Sequence, residues 1–395
     1  MTERPVARTR FVLPAQASAI MPPEARGLRR DGVRLLVADE LGVRHARFAD
    51  LTDFLEPGDL VVVNTSATLA AAVDGRREGR TGAGRRGVGR DGRTADPAVV
   101  VHFSTALDDG SWVVELRPPG PATGPVWDAV ADEKVSLPAG ASLTLVAPCS
   151  EVASVDGGVA GNRLWRAQVD VEGGVSAFLA THGRPITYSY VTGRWPLESY
   201  QTVFAHDPGS AEMPSAGRPF TTELVTSLIV AGISMAPVTL HTGVSSPQEG
   251  EPPSAEPFRV PPSTARLVNL TRTAGRRVVA VGTTVTRALE TVARPDGTVR
   301  AGQGWTDLVL GPERPARVVS GLVTGWHAPG ASHLLLLEAV AGADLVGRAY
   351  QEAVGERYLW HEFGDSALLL PRRHRPLSSA EDSGENMAPV TDQWV

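Results

Sequence analysis

A change of texture inside the chain constrains its fold more than any other feature. Between about Ala72 and Gly183, short apolar runs (Ala98–Phe103, Trp112–Arg117, Ser142–Val146 and Leu164–Val171) are separated by Gly, Pro and Asp. This spacing predicts an all-β module, a small barrel. The flanking sequence has a different rhythm. Asp59–Val63 reads as a short buried strand with a turn over 64–68. Val278–Val281 is uniformly apolar, as expected of a strand covered on both faces. Thr283 or Thr284 is positioned to cap a following helix whose Val285, Leu289 and Val292 share one face. Val318–Val323 repeats the pattern, with a helix expected from about Ala331 to Ala341. Strand followed by helix, several times over, predicts an α/β sheet with helical cover. The expected organisation is therefore a discontinuous α/β domain over residues 1–71 and 183–375. An inserted barrel-like all-β domain over 72–182 interrupts it, and 376–395 form a flexible tail. Gly75 to Arg93 and Gly243 to Ser263 are also expected to be poorly ordered, from their Gly/Arg and Pro/acidic content.

Composition narrows the functional classes. A chain of 395 residues, 42% hydrophobic and 21% charged, can bury a large core and suits a soluble protein. No apolar run approaches the roughly 20 residues that span a bilayer, and Met1 to Arg10 lacks the apolar centre of a signal peptide. Cys149 is the single cysteine, which leaves no internal disulfide and no cysteine-based zinc cluster. A cytoplasmic location follows as the expectation. The net charge of −6 argues against a broadly basic nucleic-acid surface. Lys134, the one lysine, has no glycine-rich lead, so there is no phosphate-binding P-loop. Gly82 to Gly87 matches G-x-G-x-x-G only formally, because no strand precedes it and no helix pattern follows. The seven arginines from Arg76 to Arg93 could grip RNA phosphate, though a solvated, flexible hairpin tip is the favoured reading. No spacing of ligating side chains supports a metal site.

Several predicted strands end in small or polar residues: Asn64-Thr65, His241-Thr242-Gly243, Gly282-Thr283-Thr284 and Gly325-Trp326-His327. In open α/β sheets the ligand crevice lies outside the carboxyl ends of the strands, so these segments are candidates for one shared site. Gly282, Thr283 and Thr284 at a helix start offer free N–H groups and partial positive charge to a carboxylate. Arg287, one turn on, is either a further charged contact or a solvent-facing partner of Glu290. Trp305 and Asp307 together suit a cation, through the ring face and the negative charge. His241 and His327, at strand ends, can exchange protons near neutral pH. Tyr200-Gln201, leading into the small-residue segment that contains Ser215 and Gly217, reads as a shaped loop holding a ligand.

These segments carry a resemblance. Tyr200–Gly217, then Val281–Glu290, then Gly304–Asp307, resemble the signature blocks of the S-adenosylmethionine:tRNA ribosyltransferase-isomerases of the queuosine pathway. Gly58–Asn64, His327-Ala328-Pro329, Ala349–Val354 and Gly364-Asp365 are weaker matches in the same order. The resemblance implies an α/β domain carrying an inserted β-barrel. It also implies transfer and isomerisation of the ribosyl part of S-adenosylmethionine onto 7-aminomethyl-7-deazaguanine in tRNA, with adenine and methionine leaving. S-adenosylmethionine is then a co-substrate, and no metal is required. On this reading Gly282, Thr283, Thr284, Arg287 and Trp305 hold S-adenosylmethionine. Tyr200, Gln201, Ser215, Gly217 and Asn64 meet the acceptor, and His241, His327 and Asp307 carry proton transfer.

The chain also departs from the family pattern. Arg218-Pro219 stands where the family has Leu-His, Asn64-Thr65-Ser66-Ala67 where it has Asn-Asp-Thr-Arg, and Gly330 where it has Lys. Glu256 is what remains of a histidine-rich family stretch. The lost arginine and lysine remove charge-assisted phosphate contacts. Three readings therefore stay open: the tRNA enzyme itself, an S-adenosylmethionine-dependent enzyme with a different, small-molecule acceptor, and a non-catalytic binding protein of the same fold.

Overall fold

The computed structural model describes residues 6–78, 96–120, 124–149, 162–245 and 254–372. Its frame is a nine-stranded mixed sheet. Four parallel strands form the centre, in the order Ser234–Leu240, Leu60–Asn64, Val278–Val281, Gly321–Gly325. Leu60–Asn64 and Val278–Val281 are buried along their whole length, which explains the apolar runs Leu60–Val63 and Val278–Val281. Antiparallel Glu256–Val260 and Gly302–Thr306 extend the sheet on one side. On the other side, Ser366–Leu369 runs antiparallel to Gly321–Gly325, followed by Arg34–Asp39 and Gly42–Arg47.

Alternate side chains of the central strands feed two apolar layers. Leu60, Val62, Ala280 and Leu322 pack with Val285, Leu289 and Leu334 from the helices Gly282–Thr291 and His333–Ala341. Val61, Val63, Val279 and Val323 pack against Leu224, Leu228 and Phe220 on the other face. The helix Thr222–Val230 begins where Thr221 accepts a hydrogen bond from the Leu224 N–H at 3.1 Å.

The insertion is a closed antiparallel barrel of six strands: Ala72–Arg77, Ala98–Ala106, Trp112–Arg117, Lys134–Ser136, Ser142–Pro148 and Leu164–Asp170. Val73, Val101, Phe103, Val114, Leu116, Leu143 and Leu145 fill it. The chain enters and leaves at one point, where Ala72 and Arg184 exchange two backbone hydrogen bonds of 2.9 Å.

Four local expectations need correction. The helix after Val278–Val281 starts at Gly282 itself, and neither Thr283 nor Thr284 caps it; the cap position is Val281, without a side-chain bond. The strand expected at Val318–Val323 begins only at Gly321. The backbone N–H groups of Arg317, Val318 and Val319 donate instead to the buried Glu290 carboxylate, at 2.8–3.0 Å. The Pro-rich segment is ordered over Glu256–Val260 and from Pro262, because its backbone is paired on both edges of a strand. Gly75, Arg76 and Arg77 likewise belong to the first barrel strand, and Arg77 is buried in ion pairs with Glu133 and Asp128. The rest of the arginine-rich stretch and the C-terminal tail lie outside the described residues.

Candidate active site

The parallel strands Ser234–Leu240, Leu60–Asn64, Val278–Val281 and Gly321–Gly325 all end on one edge of the sheet. Three of the sequence-predicted segments meet there. Asn64 is buried and donates from Nδ2 to Leu240 O at 2.8 Å, and at 3.4 Å to Thr284 Oγ1. Its Oδ1 accepts from the N–H groups of Leu240 and Ser66, both at 3.0 Å. It ties two strand ends to the helix start. Gly282 has φ +91°, a left-handed conformation that favours glycine. It abuts the turn Ser215–Gly217, since a β-carbon on Gly282 would lie 3.3 Å from Ala216 Cβ. Thr283 and Thr284 stay half-buried beside it, leaving the helix start without a side-chain cap.

His241 follows the strand Ser234–Leu240, half-buried, with Nδ1 2.7 Å from Ser66 Oγ. Ser66 Oγ in turn meets Ser210 Oγ at 2.6 Å. Burial pulls the His241 pKa below its usual value, only partly opposed by Asp207. His327 stacks on His333 with centroids 4.6 Å apart, and its Nε2 meets Thr324 Oγ1 at 3.1 Å. Burial, then the neighbouring His333 and His361, hold it well below the ordinary histidine range. Both imidazoles are therefore neutral at pH 7 and able to accept a proton.

Other predicted residues are used differently. Arg287 is buried and does not face solvent beside Glu290. It forms an ion pair with Glu256 and donates to the carbonyls of Thr306 (2.9 Å), Leu308 (3.2 Å) and Ser254 (3.2 Å). It thus joins the helix to the two antiparallel strands. Burial raises the Glu256 pKa, against the pull of Arg287. Trp305 lies on the outermost strand, with three strands between it and Val278–Val281, and its Nε1 donates to Asp108 of the barrel at 3.2 Å. Asp307 is exposed just beyond it. Gln201 clamps both backbone groups of Thr68, at 3.0 and 2.8 Å. Tyr200 is buried against Phe363, with centroids 5.1 Å apart. Arg218 is buried, paired with Glu24 and donating to Ser199 O at 2.8 Å.

A small, open cleft lies on this same edge. Ser215 and Gly325 line it, together with His361, Glu362 and Asp365. Asp365 is buried and occupied: its two oxygens accept from Arg34 N and Leu359 N, each at 2.8 Å. Glu362 differs, for its Oε2 is buried and has no hydrogen-bond partner. Burial, reinforced by the nearby Glu212, pushes the Glu362 pKa up to about 8 despite a hydrogen bond from Tyr190. Tyr190 stacks on His361 at 4.1 Å and on Tyr188 at 5.9 Å. Tyr188 donates to Glu212, which also accepts from Ser245 N at 2.6 Å. His361 has φ +72°, a strained value for a residue other than glycine. Sequence reasoning did not find Glu362, His361, Tyr190 and Glu212. The one signal available was Glu362 falling two residues before the Gly364-Asp365 match.

With that geometry in place, comparison with known proteins is decisive. The family described as "Queuosine biosynthesis protein" matches residues 6–369. The chain is 35% identical over 371 residues to the S-adenosylmethionine:tRNA ribosyltransferase-isomerase of Symbiobacterium thermophilum, covering 91% of this chain and 98% of that one. This chain belongs to the S-adenosylmethionine:tRNA ribosyltransferase-isomerase family. Members from Thermus thermophilus and Thermotoga maritima are 34% and 33% identical, covering 89% and 91% of this chain and 97% and 98% of their own. A solved S-adenosylmethionine tRNA ribosyltransferase from Thermotoga maritima is similar with a TM-score of 0.46 and 27% identity, over 91% of this chain and 99% of that chain. Among the described residues no helix is long and apolar enough to cross a membrane, and no group of three or more His, Cys, Asp or Glu could hold a metal ion.

Proposed function

We propose that this chain transfers and isomerises the ribosyl part of S-adenosylmethionine onto 7-aminomethyl-7-deazaguanine in tRNA. The product is epoxyqueuosine, with adenine and methionine released in the cytoplasm. The observation that carries the reading is family membership over residues 6–369, joined to an uncapped helix start at Gly282–Thr284 on the strand-end edge. That helix start suits the methionine carboxylate of S-adenosylmethionine, through free N–H groups and the positive end of the helix. The sulfonium acidifies the neighbouring C5′ hydrogens and makes methionine a good leaving group. A neutral imidazole is the right kind of base for such a proton. His241 and His327 are both lowered by burial into that state. Asn64, Ser215 and Gly217 frame the acceptor side, while Tyr200 and Gln201 hold the loop that leads to it. Arg287 acts by fixing the helix that carries Gly282 to the antiparallel strands, at whose outer edge Trp305 and Asp307 lie.

A second reading, with a small-molecule acceptor, is favoured by one observation. Arg30 and Arg218, the arginines at the cleft, are both paired with Glu24, while the cleft also presents Glu362. Incubation with S-adenosylmethionine, with and without tRNA carrying the aminomethyl base, separates the readings. Adenine and methionine release that requires this tRNA supports the first. Release without tRNA when free 7-aminomethyl-7-deazaguanine is supplied as the acceptor supports the second. No release with either acceptor overturns both.

A further inference from the structure

Within the cleft, one polar group stands out. Glu362 Oε2 is buried, has no hydrogen-bond partner, and belongs to a residue that lines the cleft. A buried carboxyl oxygen left unpaired costs free energy unless something supplies a hydrogen-bond partner. The rings beside it are ordered as a stack, Tyr188 on Tyr190 and Tyr190 on His361, with interplanar angles of 19° and 13°. A parallel stack ending at a cleft-lining residue suits a flat heteroaromatic ring. What Oε2 lacks is a hydrogen-bond partner, and one attached to such a ring would supply it. Resting on the function proposed above, we propose that Glu362 seats the aminomethyl nitrogen of the acceptor base and takes its proton, with the base plane laid against the Tyr188–Tyr190–His361 stack.

The proton balance is simple. Before the acceptor binds, burial and the repulsion of Glu212 keep Glu362 protonated at neutral pH. When the acceptor arrives as an ammonium, Glu362 loses its proton to solvent, and an ammonium–carboxylate pair replaces it. Within that pair one proton passes from nitrogen to Oε2. The nitrogen then has a free electron pair for bonding to the ribosyl carbon, and the carboxyl is neutral again. The other groups facing Glu362 do not supply a competing cation. Tyr188, Tyr190 and Tyr200 are all raised by burial and stay neutral, Glu212 is an acid, and His361 is lowered by burial. Arg30 and Arg218 are engaged by Glu24.

The test is calorimetry on the full chain with two probes, 7-aminomethyl-7-deazaguanine and its 7-methyl analogue, in two buffers of different ionisation enthalpy. The wild type should prefer the aminomethyl base by about tenfold or more and release about one proton on binding it near pH 7. Glu362→Gln should lose both the preference and the proton release while still binding S-adenosylmethionine and melting within a few degrees of wild type. Failure of the aminomethyl base to bind, equal binding of both bases to the wild type, or a preference that survives Glu362→Gln would overturn the proposal. Failure of the underlying reading looks different: no adenine or methionine is released from S-adenosylmethionine by the wild type, whatever Glu362 does.

Discussion

Gly209 lies directly against the His241 imidazole: a β-carbon at residue 209 would sit 2.4 Å from Nδ1. A methyl group there must displace the ring and break its 2.7 Å contact with Ser66. Gly209→Ala should therefore lower kcat/KM by about 10- to 100-fold, as expected when a reacting group is misplaced by roughly an ångström. The cost in stability should be smaller, about 1–3 kcal/mol by urea unfolding. Unchanged turnover in a folded Gly209→Ala protein would remove His241 from the reaction.

Arg287 and Glu256 are buried together, so removing one strands the other. Arg287→Ala should destabilise the protein by about 3–5 kcal/mol. Three backbone carbonyls lose their donor in the same step. Arg287→Met combined with Glu256→Gln should recover part of that loss, because no unpaired charge remains. Denaturant midpoints of the two variants, compared at equal slope, provide the check.

The barrel has its own acid sensitivity. Burial works against ionisation of Glu115, but hydrogen bonds from His102, Arg117 and Arg163 outweigh it and hold the carboxyl at about 2, below its ordinary 4.5. A depressed carboxylate contributes stability that is present above its unfolded pKa and is lost as pH falls through its folded one. Stability should therefore fall between about pH 4.5 and pH 2, by about 2–3 kcal/mol from this group. Glu115→Gln should be clearly less stable than wild type at pH 7 and nearly level with it at pH 2. Parallel unfolding curves for the two proteins across that range would contradict the assignment.

Gly282→Ala tests the helix start. At φ +91° an alanine is strained, and its methyl would press on Ala216. A loss of about 1–2 kcal/mol in stability is expected. S-adenosylmethionine affinity, measured by equilibrium dialysis, should fall by more than that strain explains. Affinity equal to wild type would move the methionine carboxylate away from this helix.

Much of the frame was legible from local pattern. The unbroken apolar runs at Leu60–Val63 and Val278–Val281 gave buried parallel strands, and the spaced short runs gave the barrel. What escaped depends on pairing that no local window contains. Gly302–Thr306 is a strand only because Glu256–Val260 lies beside it, and its Gly-Gln-Gly start carries no apolar signal. Val318 and Val319 look like strand residues, yet Glu290, far away in sequence, takes their N–H groups. The cleft was half visible. Strand-end residues such as Asn64 and Gly282 follow from the α/β rule. Glu362, Tyr190 and Glu212 come from three separate loops that only the folded chain brings together.

The paired crossing of Ala72 and Arg184 bears on how quickly the chain folds. Leu60–Asn64 and Ser234–Leu240 are neighbours in the sheet, although the whole barrel separates them in sequence. Joining strands so distant carries a large loop-closure entropy and slows folding. A barrel that closes first draws its two ends together at Ala72 and Arg184 and shortens the loop the sheet must close. A barrel that closed in this order would act as an early kinetic nucleus. Mutations that loosen its interior, at Phe103 or Leu143, should slow formation of the central sheet even though neither residue belongs to that sheet's core.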